Sequence, residues 1–159
     1  MTTHARMSYA DFQRSAADVY GALLGLSKLA GAAGLEKDLI ELVKLRASQI
    51  NGCAFCLQHH LNMARQLKVP PEKLDLLAAW REAGIFSPRE QAALQWSETL
   101  THVAREGVPD AAYAAVREQF EEREVVYLTS AVCAINAWNR MAVAMNFPPS
   151  IARPKENAA

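Results

Sequence analysis

Residues 36–60 read EKDLIELVKLRASQINGCAFCLQHH, and this stretch predicts two helices joined by a tight turn. In its first half the apolar residues recur at the spacing of one helical face; they are Leu39, Ile40, Val43, Ala47 and Ile50. The pair Asn51-Gly52 ends this helix, because Asn-Gly favours a turn. The next helix begins at Cys53 and carries a Cys-x-x-Cys pair on its first turn. The stretch therefore predicts a helix, a turn and a second helix that starts with two cysteines.

Outward from this stretch, the sequence predicts an all-α fold, a single-domain bundle of about six helices. We place these helices at residues 8–30, 36–50, 53–68, 87–105, 110–121 and 125–145, with a short helix at 72–83. No stretch alternates apolar and polar residues over the length of a strand. We expect residues 1–159 to form one domain with its core in residues 35–146, and residues 147–159 to be a loose C-terminal tail.

Composition excludes several classes of protein. Lys plus Arg total 17 and Asp plus Glu total 17, so the net charge is zero, which argues against a general nucleic-acid binder. Hydrophobic residues make up 51% of the chain, as in globular proteins, and three cysteines are too few for a secreted disulfide scaffold. No signal peptide is visible in residues 1–12, and no apolar stretch is long and uninterrupted enough to span a bilayer. We therefore expect a cytoplasmic protein.

The two cysteines and one histidine share a face of the second helix. At about 100° per residue, Cys56 lies about 60° around the helix from Cys53, and His60 lies between them. His59 lies about 120° from Cys53 and is the weaker candidate. A helix N-terminus favours a thiolate, and an imidazole can take or return a proton. This arrangement suits thiol oxidation, disulfide formation and re-reduction.

Two other interpretations of the cysteines stay open. The pair could be half of a zinc site that His60 and either Cys133 or His102 complete as a tetrahedron. No second Cys-x-x-Cys and no His-x-His pair accompanies it. Alternatively, Cys53 and Cys56 could be two inert cysteines of the core.

Glu41 is the second residue of chemical interest. It lies twelve positions before Cys53 in an apolar context, and Ser48 follows on the same helical face. A carboxylate among apolar residues tends to have a raised pKa and can accept a proton near neutrality. The alternative is a surface glutamate that pairs with Lys37 or Lys44 at helical spacing.

The residues from Glu41 to Cys56, followed by His60, resemble the alkylhydroperoxidase D-like core of the carboxymuconolactone decarboxylase-like superfamily. The pattern is a Glu, a Cys-x-x-Cys after eleven intervening residues, and a His after three more. The resemblance extends over about residues 35–145. Residues 120–124 and 135–140 are similar to the single-domain, peroxidase-type branch.

The resemblance implies an all-helical antioxidant protein in which a cysteine thiolate reduces a hydroperoxide without metal, haem or flavin. It makes Cys56 the peroxidatic residue, Cys53 the resolving residue, and Glu41 with His60 the proton relay. Helix position alone favours Cys53 as the nucleophile, because Cys53 lies closer to the positive helix end. The best-studied branch has a second His where this chain has Phe55.

The expected function is that of a thiol-dependent peroxidase for hydrogen peroxide or organic hydroperoxides. Cys53 and Cys56 would form a disulfide that an external dithiol reduces. By analogy with relatives we expect a homo-oligomer, a hexamer in preference to a trimer, with no nucleic-acid or membrane partner. The alternatives are a lactone decarboxylase of the same superfamily, which does not require the Cys-x-x-Cys, and a non-enzymatic redox sensor or zinc-binding interaction module.

Four residues of the last helix complete the analysis. Cys133, among apolar neighbours, is expected to be a small buried hydrophobic residue. Asn136, Asn139 and Arg140 need polar partners in an otherwise apolar helix. They could line the mouth of a pocket, or cap and cross-link neighbouring helices or subunits.

Overall fold

The computed structural model describes residues 5–151, which form ten α-helices and one 3-10 turn and contain no strand. The helices are α1 (Tyr9–Ser15), α2 (Ala17–Ala32), α3 (Lys37–Ile50), α4 (Ala54–Gln66), α5 (Pro71–Asp75), α6 (Trp80–Ala83), α7 (Pro88–Thr101), α8 (Val103–Glu106), α9 (Asp110–Arg117) and α10 (Glu122–Met145). The 3-10 turn is Leu77–Ala79. The prediction of an all-α fold is confirmed.

Helices α3 and α10 form the centre of the bundle. Helix α10 packs against α2, α3, α4, α7 and α9, and α3 also packs against α4 and α7. Because neighbours surround α3, it buries polar as well as apolar side chains, including Glu41, Lys44 and Ser48. Buried polar groups need partners. Glu41 pairs with a residue of α4 and Ser48 with a residue of α10, whereas Lys44 lies beside Glu41 of the same helix.

Three of the predicted helices are interrupted, and the first of them is the N-terminal one. The helix predicted at 8–30 breaks at Ala16, whose backbone leaves the helical region with φ −135° and ψ 52°. Within α1, Phe12 is buried and meets Tyr20 and Trp138 edge-on, each at 6.2 Å between ring centroids. The break redirects the chain so that Phe12 reaches the core, and α1 lies over the start of α4.

The other interrupted predictions lie between α4 and α9. Residues 72–83 form α5, the 3-10 turn and α6 in place of one helix, and residues 87–105 divide at His102 into α7 and α8. The start of α7 is as predicted. Ser87 accepts from the backbone N–H of Glu90, and the Glu90 carboxylate accepts from the backbone N–H of Ser87, which is a capping box.

A glycine turn connects α3 to α4. Gly52 has φ +64°, a left-handed conformation that glycine adopts without steric cost. The turn is closed by the backbone N–H of Cys53, which donates to the carbonyl of Ser48 at 3.0 Å. It leaves Cys53 as the N-cap residue of α4. The Asn51 side chain ties the turn to α10 by donating to Oδ1 of Asn136 and of Asn139, at 3.0 and 2.8 Å.

Cys133 does not have the predicted environment. It is exposed on α10, although Val132 and Ala134 beside it are buried. The prediction of a buried residue was wrong, because position 133 falls on the outer face of the helix together with Val126 and Arg140, which are also exposed and lie seven positions away.

The described chain reaches into the predicted tail. Phe147 is buried against Phe12 and Phe55, whereas residues 152–159 of that tail lie outside the described residues. Within residues 5–151, no helix has the length and apolar character needed to cross a membrane. The single domain and the homo-oligomer stay predictions. Apolar side chains such as Val19 and Leu29 are exposed on α2, at 43% and 45%.

Candidate active site

Cys53 and Cys56 are free thiols that lie next to each other at the start of α4, and both are buried. The Sγ of Cys53 accepts the backbone N–H of Cys56 at 3.3 Å. A hydrogen bond from the Cys56 thiol lowers the pKa of Cys53 to about 7, although burial acts in the opposite direction. The same hydrogen bond, together with burial, raises the pKa of Cys56. Cys53 therefore ionises before Cys56 does.

Asn139 of α10 is a third polar group beside the thiols. Its side chain acts to lower the pKa of each cysteine, although the pKa of Cys56 stays raised overall. The amide is 1% exposed, and its orientation is fixed at both ends. Its Oδ1 accepts from Asn51 at 2.8 Å, and its Nδ2 donates to Ser48 Oγ at 3.1 Å. The amide nitrogen therefore faces the site, where it can stabilise a thiolate.

Glu41 and His60 form a buried pair. Nδ1 of His60 lies 2.7 Å from Oε2 of Glu41, and Nζ of Lys44 lies 3.6 Å from Oε1. Burial favours a raised pKa for Glu41, but the hydrogen bond and charge of His60 and the charge of Lys44 outweigh it, so the pKa is lowered. The expectation of a raised pKa was wrong because the neutralising partners come from helix α4 and the next turn of α3.

The lowered pKa of Glu41 determines which ring nitrogen of His60 carries a proton in the bond between them. Glu41 is a carboxylate at neutral pH, and a carboxylate can only accept hydrogen bonds. Nδ1 of His60 must then carry the proton of the 2.7 Å bond. In the neutral imidazole this leaves Nε2 as a proton acceptor. The alternative of a surface glutamate paired with Lys37 or Lys44 is not what the structure shows, because Glu41 is buried. It does lie near Lys44, but the described part of the chain shows no ion pair with Lys37.

A cavity of about 300 Å³ opens in front of the cysteines, between α1, α2, α3, α4 and α10. It is lined by Tyr9, Tyr20, Leu24, Ser27, Lys28, Glu41, Lys44, Phe55, Cys56, His59, His60, Met63, Ile135 and Trp138. Three of the four predicted site residues are among them, and Cys53 is not. Cys56 is therefore the thiol that faces the cavity, and Cys53 lies behind it.

Aromatic side chains close one side of this cavity. Phe55 packs on Tyr9 at 5.0 Å and on Phe147 at 5.5 Å between ring centroids. The pKa of Tyr9 is raised to about 12 by burial, by a hydrogen bond with Tyr20 and by the nearby Cys56. Phe55 thus makes an apolar wall where the best-studied branch has a histidine. Sequence analysis missed Tyr9 and Tyr20, because they reach the site only through the break between α1 and α2.

His59 lies at the rim of the cavity. Its ring is edge-on to that of His60, at 4.9 Å between centroids, and it is exposed. Partial desolvation and the neighbouring His60 lower its pKa. It lines the cavity although it points away from Cys53 on the helix, so it stays the weaker candidate for proton transfer.

The residues considered for a zinc tetrahedron are not brought together. Among residues 5–151, no group of three or more His, Cys, Asp or Glu side chains is arranged to hold a metal ion. Neither His102 nor Cys133 lines the cavity that Cys56 faces.

Asn136 and Arg140 form hydrogen bonds within and between the helices around the site. Nδ2 of Asn136 donates to Thr101 Oγ1 at 3.1 Å, which ties α10 to α7. Arg140 donates to the carbonyl of Asn136 at 2.8 Å. Of the two roles considered for these residues, cross-linking of helices is the one observed within the described chain.

Comparisons with known proteins agree with this architecture. The profile of the Carboxymuconolactone decarboxylase family matches residues 17–99. The uncharacterized protein YdfG of Bacillus subtilis is 37% identical over 123 residues, which are 77% of this chain and 84% of YdfG. A solved Agrobacterium tumefaciens protein of unknown function, described provisionally as the antioxidant defence protein AhpD, is 34% identical. It superposes with a TM-score of 0.87 over 94% of this chain and 100% of that chain.

Two more distant structures share the fold alone. One is an uncharacterized peroxidase-related protein of Ralstonia eutropha with the alkylhydroperoxidase AhpD core, at 22% identity and TM-score 0.77, covering 88% of this chain and 75% of that one. The other is the debrominase Bmp8, at 17% identity and TM-score 0.74, covering 87% and 74%. A debrominase and a peroxidase-related protein therefore share this fold. The chain belongs to the Carboxymuconolactone decarboxylase family and has the alkylhydroperoxidase D-like core.

Proposed function

We propose that this protein is a thiol-dependent peroxidase that reduces hydroperoxides through a Cys53–Cys56 disulfide cycle. One observation carries the proposal: the buried Glu41–His60 pair and Cys56 line the same cavity, with the second thiol directly behind Cys56. The cavity brings together a proton acceptor, a nucleophile and a resolving thiol. These are the groups that a two-cysteine peroxidase needs.

Access decides which cysteine attacks. Ionisation favours Cys53, whose pKa is lowered to about 7, whereas only Cys56 lines the cavity. A thiolate that the peroxide cannot reach cannot attack it. We therefore assign the attack to Cys56, as the family resemblance implies, and the low pKa of Cys53 suits the resolving step.

In the first step His60 Nε2 accepts the Cys56 proton while Nδ1–H stays bonded to the Glu41 carboxylate. The Cys56 thiolate attacks the terminal oxygen of the hydroperoxide, and the O–O bond breaks. The leaving alkoxide or hydroxide takes the proton from His60 and departs as alcohol or water. Cys56 becomes a sulfenic acid, so the sulfur is oxidised by two electrons and the peroxide is reduced by two.

In the second step the Cys53 thiolate attacks the Cys56 sulfur. The S–O bond breaks, hydroxide leaves and takes up a proton to become water, and the disulfide forms. An external dithiol then supplies two electrons and two protons to restore both thiols. The carboxylate of Glu41 stabilises the His60 imidazolium that exists between proton uptake and release.

The test is peroxide consumption in excess dithiothreitol, with Cys133→Ser as the matched control for loss of a thiol. Cys56→Ser should abolish turnover, and Cys133→Ser should not change it. In the absence of dithiothreitol, Cys53→Ser should reduce one equivalent of peroxide and keep a dimedone-reactive sulfenic acid on Cys56. Turnover by Cys56→Ser, or a sulfenic acid on Cys53, contradicts the assignment. Oxidation of the wild type without repeated turnover would indicate a redox sensor.

A further inference from the structure

Lys44 is a buried cation that the proposed reaction does not use. It is 9% exposed and lines the cavity. Its only charged partner in the described part of the chain is Glu41, 3.6 Å away, which is longer than a hydrogen bond. Glu41 already accepts a 2.7 Å bond from His60 on its other oxygen. The ammonium of Lys44 therefore has donors left over inside the cavity.

Lys28 of α2 lines the same cavity. It is exposed, and no carboxylate within residues 5–151 pairs with it. Glu41 is the one acidic residue of the lining, and His60 and Lys44 both contact it. The charged groups of the cavity therefore leave an excess of positive charge. An anion that enters the cavity would meet these two ammonium groups and could form charge-assisted hydrogen bonds with them.

The remainder of the lining is apolar and largely aromatic. Tyr9, Phe55 and Trp138 form one side of the cavity. A volume of about 300 Å³ lies at the small end of ligand pockets, which suits one substituted ring or a short chain. The lining therefore matches a small molecule with an apolar body and one anionic group.

We propose that the cavity selects organic hydroperoxides that carry a carboxylate, with Lys44 and Lys28 as the anion-binding residues. The apolar body packs on the aromatic side, and the hydroperoxide end reaches Cys56. This inference rests on the proposed peroxidase function for the chemical step, whereas the anion site itself is independent of turnover.

The test compares substrates that differ in one charge. Cumene hydroperoxide with a para-carboxylate and the methyl ester of the same compound have the same ring and the same peroxide. We expect kcat/KM for the carboxylate to exceed that for the ester about tenfold, which is about 1.4 kcal/mol. Equal values for the two compounds overturn the inference.

Substitutions locate the preference. In Lys28→Gln, Lys44→Gln and the double variant, the carboxylate-to-ester ratio should fall towards one. Lys37→Gln, an exposed lysine of α3 outside the cavity, is the matched control and should keep the ratio. The ratio is used because Lys44→Gln also removes charge next to Glu41 and can slow both substrates equally. An unchanged ratio in the double variant contradicts the assignment.

A binding measurement separates this inference from the proposed function. In Cys53→Ser/Cys56→Ser protein, the product alcohol with the para-carboxylate should bind about tenfold more tightly than its methyl ester by calorimetry. Lysine-dependent binding without any hydroperoxide turnover supports the anion site and refutes the peroxidase. Turnover of both hydroperoxides with equal binding of both alcohols supports the peroxidase and refutes the anion site.

Discussion

The hydrogen bond from the Cys56 thiol is the largest influence that lowers the pKa of Cys53, and Cys56→Ala removes it. A hydrogen bond to a charged group contributes about 1.5–3 kcal/mol, and one pKa unit corresponds to about 1.4 kcal/mol. The pKa of Cys53 should therefore rise by about 1–2 units from its value of about 7. Cys56→Ser keeps a hydroxyl donor at the same place and should leave the pKa near 7.

The assay is a pH titration of thiolate ultraviolet absorbance in Cys133→Ser protein, which removes the exposed thiol. Absorbance suits this site better than alkylation, since Cys53 is 1% exposed and a reagent reaches it poorly. The midpoint for Cys56→Ala should lie above that for Cys56→Ser. If the two variants titrate at the same pH, the thiol hydrogen bond does not set the pKa of Cys53.

Three further changes test other parts of the site. Glu41→Gln should slow peroxide reduction about 10²–10⁴-fold. Because folding lowers the pKa of Glu41, its carboxylate stabilises the fold above its ordinary pKa of 4.5, and this stabilisation is lost in acid. The unfolding free energies of the wild type and Glu41→Gln in urea should therefore converge at low pH. Asn139→Ala should raise the pKa of Cys53 and cost about 1–3 kcal/mol of unfolding free energy, and an unshifted thiolate titration would exclude contact with the thiols. Gly52→Ala places a methyl group in open space on a residue with φ +64°, so it should lower the unfolding free energy in urea by about 1–2 kcal/mol. The control is Gly21→Ala in α2, where the space is equally open and φ is helical. It should leave the unfolding free energy unchanged or raise it.

The central helices could be predicted closely from sequence. Residues 36–50 and 53–68 were predicted as helices, and the structure has Lys37–Ile50 and Ala54–Gln66. Apolar periodicity and the Asn51-Gly52 turn are local signals, so neighbouring helices do not alter them. The break at Ala16 has no such signal, because no Gly or Pro stands there. It accompanies the burial of Phe12 against Trp138, which is distant in sequence.

The cysteine face could be predicted because it depends only on helix geometry. Cys53, Cys56 and His60 share one helix, so about 100° per residue places them together. The partnership of Glu41 with His60 spans two helices, and only the family resemblance indicated it. The pKa of Glu41 could not be predicted from its apolar neighbours in sequence, since the groups that lower it are set by packing.

The contacts that residues of α1 and α10 make with the cysteines could not be predicted from the sequence. Asn139 was known to need a partner, but its contact with the thiols depends on how α10 crosses the α3–α4 turn. Tyr9 carries no pattern that links it to a cysteine. The exposure of Cys133 did have a signal: Arg140, one heptad further on, marks the same face of α10 as solvent-facing.

The most direct test of the account is mass spectrometry of the reduced, chelator-treated protein after a sub-stoichiometric amount of hydroperoxide. The account predicts rapid loss of two hydrogens, mapped by peptides to a Cys53–Cys56 bridge, and slower loss in Glu41→Gln and His60→Ala. Thiols that stay reduced, or oxidation confined to the exposed Cys133, would contradict it.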